Sequence, residues 1–408
     1  MMPHHLALLA RGGAVAETDA SAAPAPRLSR SGAGFRNVHG FSELVSARAW
    51  HLALPLAPAR FHAPRAPAGE FAPALKHELH KEATWSPPPN YLTGAGDPYN
   101  GGKLLSRIAR TALIAEALGE FDLAAAIGAN LSALVEVYAV KGAQNEWVWD
   151  ETWGGLIGCG CDYDDCQGKC VGRCANRFPN CPSLADPGRD FGNGFYNDHH
   201  FHWGYHVYAA AVAAKFRPGW ARAHRERLLL PARDIASPTS DGSFPAARHK
   251  DWYMMISWAS GIALAGGMPY RQGRNQESTS EAVNGYYGVA LLGQALGEPA
   301  LREMGDVLLA MEVGARARAR AHVARPPPPS ARVTRCAPLT RRARRAPHPL
   351  HLPTTRCTQP RPTTTCARAR TFTPSRCSST TWWAFCGKTS RSTRRGSAQP
   401  RTSCMPFK

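Results

Sequence analysis

"KLLSRIARTALIAEALG", residues 103–119, places apolar side chains at three- and four-residue intervals and closes on Gly119. That period belongs to a helix with one buried stripe, and a terminal glycine is a common way to end one. Immediately beyond it, "FDLAAAIGANLSALVEVYAV" (121–140) repeats the pattern. The two segments read as a helical hairpin. The same spacing predicts helices over 203–216, 221–235, 252–266, 277–296 and 298–312, joined by segments carrying Gly, Pro, Asn and Asp. No β-rich run competes with them. The ordered part of the chain is expected to be mostly α, built from stacked helical hairpins.

Outward from this block the composition changes on both sides. Residues 1–70 are rich in Ala, Pro and Arg, as in "APAPRLSRSGAG" (23–34), with no strand or helix period, and read as low-complexity, disordered chain. Order is expected from Phe71. Residues 314–408 hold "RPPPPS" and "TRRARRAP" and no carboxylate; they read as a basic low-complexity tail, disordered or an artefact of the gene's reading frame. The formal charge of +19 is therefore deceptive. After Glu312 there are 21 of the 49 lysines and arginines, which leaves 28 against 30 carboxylates before it. A nucleic-acid partner would rest on the tail alone, and none is expected. No apolar run reaches membrane-spanning length, and no membrane association is expected. The N-terminal apolar stretch, Leu6–Ala10, is too short for a secretory signal.

Six of the 12 cysteines fall in "CGCDYDDCQGKCVGRCANRFPNC" (159–181): Cys159, Cys161, Cys166, Cys170, Cys174 and Cys181. Their crowding reads as a disulfide-tied insert, which implies an oxidising, extracellular setting. Zinc is the alternative, but the spacings fit finger patterns poorly.

Two stretches carry chemistry. "YNDHHFHWGY" (196–205) gathers Asp198, His199, His200 and His202 among aromatic side chains. An acid in such surroundings is suited to a raised pKa and to proton donation. Only Asp198 and His202 have helical metal spacing, and no metal site is expected. "GRNQESTSEAVNGYYG" (273–288) carries Glu277 and Glu281 four residues apart, on one face if the segment is helical. A solvated face with two glutamates would have the same spacing. Hydrogen-bonding neighbours such as Asn275 favour polyol recognition.

With these residues in view, "FGNGFYNDHHFHWGY", "RHKDWY…SWASG" and "GRNQESTSEAVNGYYGVALLG" resemble glycoside hydrolase family 81, the endo-β-1,3-glucanases. "DPYNGGKLLSRIARTALIAEALG" and "WDETWGGLI" fit the family's upstream pattern. The resemblance covers roughly residues 72–313. It implies a catalytic domain over 71–313 shaped as an (α/α)6 toroid, with an inverting active site and no cofactor. Asp198 would be the general acid and one of Glu277 and Glu281 the general base. His202, Asp251, Tyr99, Lys103, Tyr205, Trp258 and Asn275 would contact substrate, a β-1,3-glucan, and the protein would act as a monomer.

The sequence also departs from the family. Residues 1–70 lack the strand pattern of its β-sandwich, and about seven helical segments stand where a full toroid has twelve. A partial toroid would leave apolar faces unpartnered and predicts a weak enzyme. In "DWYMMISWASG" (251–261), Met255 and Ile256 occupy positions where Gly and His are expected. A noncatalytic glucan-binding relative is the competing reading, and nucleic-acid binding through the tail is a third.

Overall fold

Asp97 begins the first long helix. Its side chain accepts a hydrogen bond from the Asn100 backbone amide at 2.7 Å, and Pro98 occupies the first helical position, where no amide is needed. In the computed structural model, which describes residues 1–8, 29–37, 40–46, 52–160, 177–262, 274–323 and 404–406, this helix is the fourth in chain order. Before it come α1 (Pro3–Leu8), the strands β1 (Ser29–Asn37) and β2 (Gly40–Ser46), and the helices α2 (Ala72–Ala83) and α3 (Pro89–Leu92). Next are α4 (Pro98–Ala117) and α5 (Phe121–Ala139), the strand pair β3 (Trp147–Asp150) and β4 (Gly155–Gly158), and the helices α6 (His199–Phe216), α7 (Pro218–Ala223) and α8 (Arg225–Ala236). A two-residue hairpin, β5 (Lys250–Asp251) and β6 (Ile256–Ser257), precedes α9 (Thr279–Leu296) and α10 (Pro299–Val323), and β7 (Cys404–Pro406) pairs with β3. The mostly helical class read from the sequence is the one observed.

Glycine sets the spacing of the helices that matter. A Cβ added at Gly204 on α6 would lie 2.5 Å from the Gly285 Cα on α9, and one at Gly288 would lie 2.8 Å from the Tyr208 backbone nitrogen. Contacts therefore advance from 204 against 285 to 208 against 288. The two helices run parallel, and their N-termini share one end. That end holds Asp198 and Glu281. The α9–α10 contact advances the opposite way, with Gly293 against Arg302 and Gly305 against Ala290, as in an antiparallel hairpin. The central core is made by the apolar faces of these helices, including Leu105, Leu131, Trp203, Leu228 and Leu291. All described residues belong to one compact unit.

Several expectations are corrected. Ser29–Asn37 and Gly40–Ser46 pair as antiparallel strands inside the segment read as patternless. The helix expected over 252–266 is absent as far as the description reaches: 252–255 are turn, 256–257 strand and 258–262 irregular, while 263–266 lie outside the described residues. Its short apolar run fits a buried hairpin as well as a helix. The strands β3 and β4 interrupt the helical block, each only four residues long. The last helix runs on to Val323, past the expected boundary at residue 313, since Ala and Arg both favour helix. The rest of the tail, apart from 404–406, lies outside the described residues. By length and composition α5 is apolar enough to cross a bilayer, contrary to the sequence reading. Its apolar face packs on α4 and α6, and Gly128 lets it approach Phe216.

Candidate active site

Asp198 stands at the N-cap of α6 in the left-handed region, with φ 56°. For a residue with a Cβ this costs on the order of 1 kcal/mol, so its surroundings must hold it. They do so from two directions. The Asp198 amide donates to the Ala259 carbonyl at 2.8 Å, and the Asp198 carbonyl accepts from the amides of Phe201 and His202. Its side chain is buried. Oδ2 accepts from Asn197 Nδ2 at 2.6 Å, and Oδ1 has no partner. Burial pushes its carboxyl up to about 8, with further pushes from the charges of Glu277 and Glu281. The positive end of the α6 dipole works the other way but does not outweigh the loss of water.

The two glutamates are not both on a helix. Ser278 is the N-cap of α9, its hydroxyl accepting from the Glu281 amide at 3.3 Å. Glu281 lies in the first turn of the helix. Glu277 precedes the cap, exposed and in the left-handed region at φ 55°. The expected shared helical face is therefore replaced by a turn and a helix start. Desolvation, then the Glu281 charge, raises the Glu277 carboxyl. Glu281 Oε1 accepts from the hydroxyls of Tyr99 at 2.7 Å and Tyr205 at 2.9 Å. Lys103 Nζ donates to the Tyr99 hydroxyl at 3.2 Å. Burial raises the Tyr99 phenol most, followed by its hydrogen bond to Glu281 and the charges of Glu281, Glu277 and Asp198.

One peptide joins the two sides. The Ala259 carbonyl accepts from Asp198, while its amide donates to the Asn275 carbonyl at 2.9 Å, two residues before Glu277. Beside it lies a cleft of about 890 Å³, lined by residues that include Trp153, Asp251, Trp252, Trp258, Ser260 and Arg274. Asp251 is fixed there: Oδ2 accepts from Trp258 Nε1 at 3.1 Å and Oδ1 from the Met254 amide at 2.8 Å. Apolar ring faces together with a few polar groups suit a sugar chain.

Not every residue named from the sequence reaches open space. His202 is buried behind Tyr99 and Phe191, its Nδ1 2.9 Å from Asn193 Nδ2. His199 is fully buried, with Nδ1 2.6 Å from Asp234 Oδ2. Asn275 turns its Oδ1 into the protein, where it has no partner. Gln276, next to Asn275 in the chain, is buried against Glu312. Sequence reasoning missed Asn197, although it adjoins Asp198, and also the exposed rings of Trp153, Phe191 and Trp252. Cys159 and Cys181, the first and last of the six clustered cysteines, form a disulfide. Cys161, Cys166, Cys170 and Cys174 lie outside the described residues.

The family model described as "Glycosyl hydrolase family 81 C-terminal domain" matches residues 178–319, which contain Asp198, Glu277 and Glu281. Over these residues the chain is similar to the C-terminal domain of glycoside hydrolase family 81. Among relatives, a "Glucan endo-1,3-beta-D-glucosidase" of Glycine max is 34% identical over 221 residues, covering 53% of this chain and 29% of that protein. The "Primary septum glucan endo-1,3-beta-D-glucosidase" of Schizosaccharomyces pombe is 39% identical over 126 residues, 30% of this chain and 12% of the relative. A solved family 81 glycoside hydrolase from Clostridium thermocellum superposes with a TM-score of 0.54 at 25% identity, over 74% of this chain and 38% of that one. The chain thus spans less than a third of the length of the two curated relatives. The family 81 match covers α6 to α10, so both sides of the carboxyl cluster fall within it.

Proposed function

We propose that this protein hydrolyses β-1,3-glucan chains internally by an inverting mechanism, with Asp198 as general acid and Glu281 as general base. The observation that carries the reading is the placement of the cluster, with buried Asp198 at the start of α6 and Glu281, held by Tyr99 and Tyr205, at the start of α9. Asp198 is buried and pushed up to about 8, so near neutral pH it keeps the proton that a leaving sugar oxygen requires. Glu281 has one oxygen held by two tyrosine hydroxyls, which fixes the orientation of its carboxyl group and leaves the other oxygen for a water. Glu277 sits beside them, exposed, and orients that water or the sugar it attacks. An inverting hydrolase needs its two carboxyl groups about 6.5–9.5 Å apart, with the water between them. Trp258 and Asp251 in the neighbouring cleft, with Tyr99 and Lys103 on the other side, would hold the glucan. His202 and Asn275 act from beneath, by shaping the walls. The extracellular setting of such a substrate agrees with the Cys159–Cys181 disulfide.

Proton NMR of laminarin digestion tests the reading. Newly formed reducing ends should appear first as the α-anomer, because the β-linkage is inverted. First appearance as the β-anomer would reject the mechanism, and binding without cleavage would favour a noncatalytic glucan-binding protein. Azide should rescue Glu281→Ala and not Glu277→Ala, since a small anion replaces an activated water. The opposite pattern would exchange the two roles.

A further inference from the structure

Below the cleft lies a buried ion pair that the reaction itself does not use. Lys250 Nζ is 3.0 Å from Glu312 Oε1, and both side chains are fully buried. Glu312 sits on α10, and its two oxygens point to different parts of the site. Oε1 also accepts from Ser257 Oγ at 2.6 Å, while Oε2 accepts from Gln276 Nε2 at 3.0 Å. Lys250 donates a further hydrogen bond to the Met255 carbonyl at 2.9 Å, which closes the hairpin. Ser257 meets the Tyr286 hydroxyl of α9 at 2.7 Å.

We propose that Glu312 is a positioning residue for catalysis: one buried carboxylate clamps both the hairpin that carries Asp251 and the turn that carries Glu277. The proposal rests on the glucanase reading above. Each of its ligands is one or two residues from a working group. Lys250 precedes Asp251, and Gln276 precedes Glu277. Ser257 lies two residues before Ala259, whose peptide bonds to both Asp198 and Asn275. The choice of residue type supports the same conclusion. A buried ion pair is weak evidence of stability, because well-packed apolar side chains of similar volume often do as well. What apolar side chains cannot supply is direction. Three donors from three segments converging on one carboxylate fix the orientation of each segment. Glu277 needs such a support, since its φ of 55° is one that a side chain rarely adopts.

The test uses the full chain and two readouts, laminarin hydrolysis and amide hydrogen exchange. Glu312→Ala should lower kcat/KM by about ten- to a hundredfold, the scale of a small displacement of reacting groups. Exchange should quicken at 250–260 and 274–278 and stay unchanged in α4, α5 and α6. Glu312→Gln keeps a carbonyl for Ser257 and Lys250 and should lose less. Gln276→Leu severs the tie between Glu312 and the turn. It should quicken exchange at 274–278 alone and lower kcat/KM at least about fivefold, and it remains informative if Glu312→Ala does not fold. Exchange that rises uniformly through the helices in Glu312→Ala, or wild-type exchange and kcat/KM in Gln276→Leu, would overturn the proposal. If the unmutated chain leaves laminarin intact, the glucanase reading fails, and the exchange pattern still decides whether the clamp exists.

Discussion

Asp198 shows how one side chain acquires its chemistry from burial. Its carboxyl rises from 3.8 to about 8 because water is withdrawn and two glutamates stand nearby. A carboxyl raised in the folded state favours folding when protonated. That contribution is complete below about pH 4 and is lost as pH rises through about 8. In the proposed mechanism the same proton is the one delivered to the leaving sugar, so kcat/KM for laminarin should fall above about pH 8, and Asp198→Asn, which has no proton to lose on unfolding, should be at least as stable at neutral pH as the parent chain. A profile flat to pH 10 would remove Asp198 from the acid role. Met255 is a second case of a residue in an unusual backbone setting. It occupies a left-handed position at φ 59°, a setting that glycine adopts without strain and that agrees with the glycine expected there. Met255→Gly would relieve about 1 kcal/mol of backbone strain. It would also empty a buried site beside Leu8 and Met311, at a cost of about 2 kcal/mol or more. The packing loss is the larger, so a chemical denaturation series should show net destabilisation of about 1–2 kcal/mol.

Among the elements, the parallel pair α6 and α9 makes the site. Asp198 and Glu281 are 83 positions apart in the sequence and share one end only because the helices nearly touch at Gly204 and Gly285. A Cβ at Gly285 would meet the His200 carbonyl oxygen at 2.4 Å, and backbone cannot yield cheaply. Gly285→Ala should therefore cost about 2 kcal/mol or more in a thermal or denaturant scan and lower activity with it. Unchanged stability would mean that the helices are not pinned there. The long helices were legible because their apolar period is repeated over several turns, as in 103–119 and 121–140. The strands around Trp147–Gly158 and the hairpin at Lys250–Ser257 were not, since strands of two to four residues carry almost no period. The position of Glu277 outside the helix was partly legible. The spacing from Ser278 to Glu281 is that of a helix cap, which places Glu277 before the start. Which side chains would turn inward was not legible at all: His202, Asn275 and Gln276 have the composition of a binding site but pack into the protein.

At the scale of the whole molecule, the end that holds the carboxyl cluster is braced from outside the helices. The disulfide between Cys159 and Cys181 spans 22 positions and packs with Val148, Ile157 and Tyr196. Tyr196, two residues before Asp198 in the chain, in turn donates to Asp150 at 2.8 Å. Closing a loop of this length contributes about 3 kcal/mol. Replacing both cysteines by serine should lower stability by that amount in a denaturant titration, and no change in midpoint would deny the bridge a structural role. The charge of the molecule follows the same division into parts, with a near-neutral body and a basic tail beyond Glu312.

The central proposal is that buried Asp198 acts as the proton donor beside Glu277 and Glu281 and next to a glucan-binding cleft. The most direct test is laminarin hydrolysis by Asp198→Asn beside the parent chain, with both checked for the same cooperative unfolding. The amide keeps the shape and removes the proton. A fall in kcat of at least about a hundredfold, with folding intact, is the predicted result. Near-parental turnover by the folded variant would contradict it.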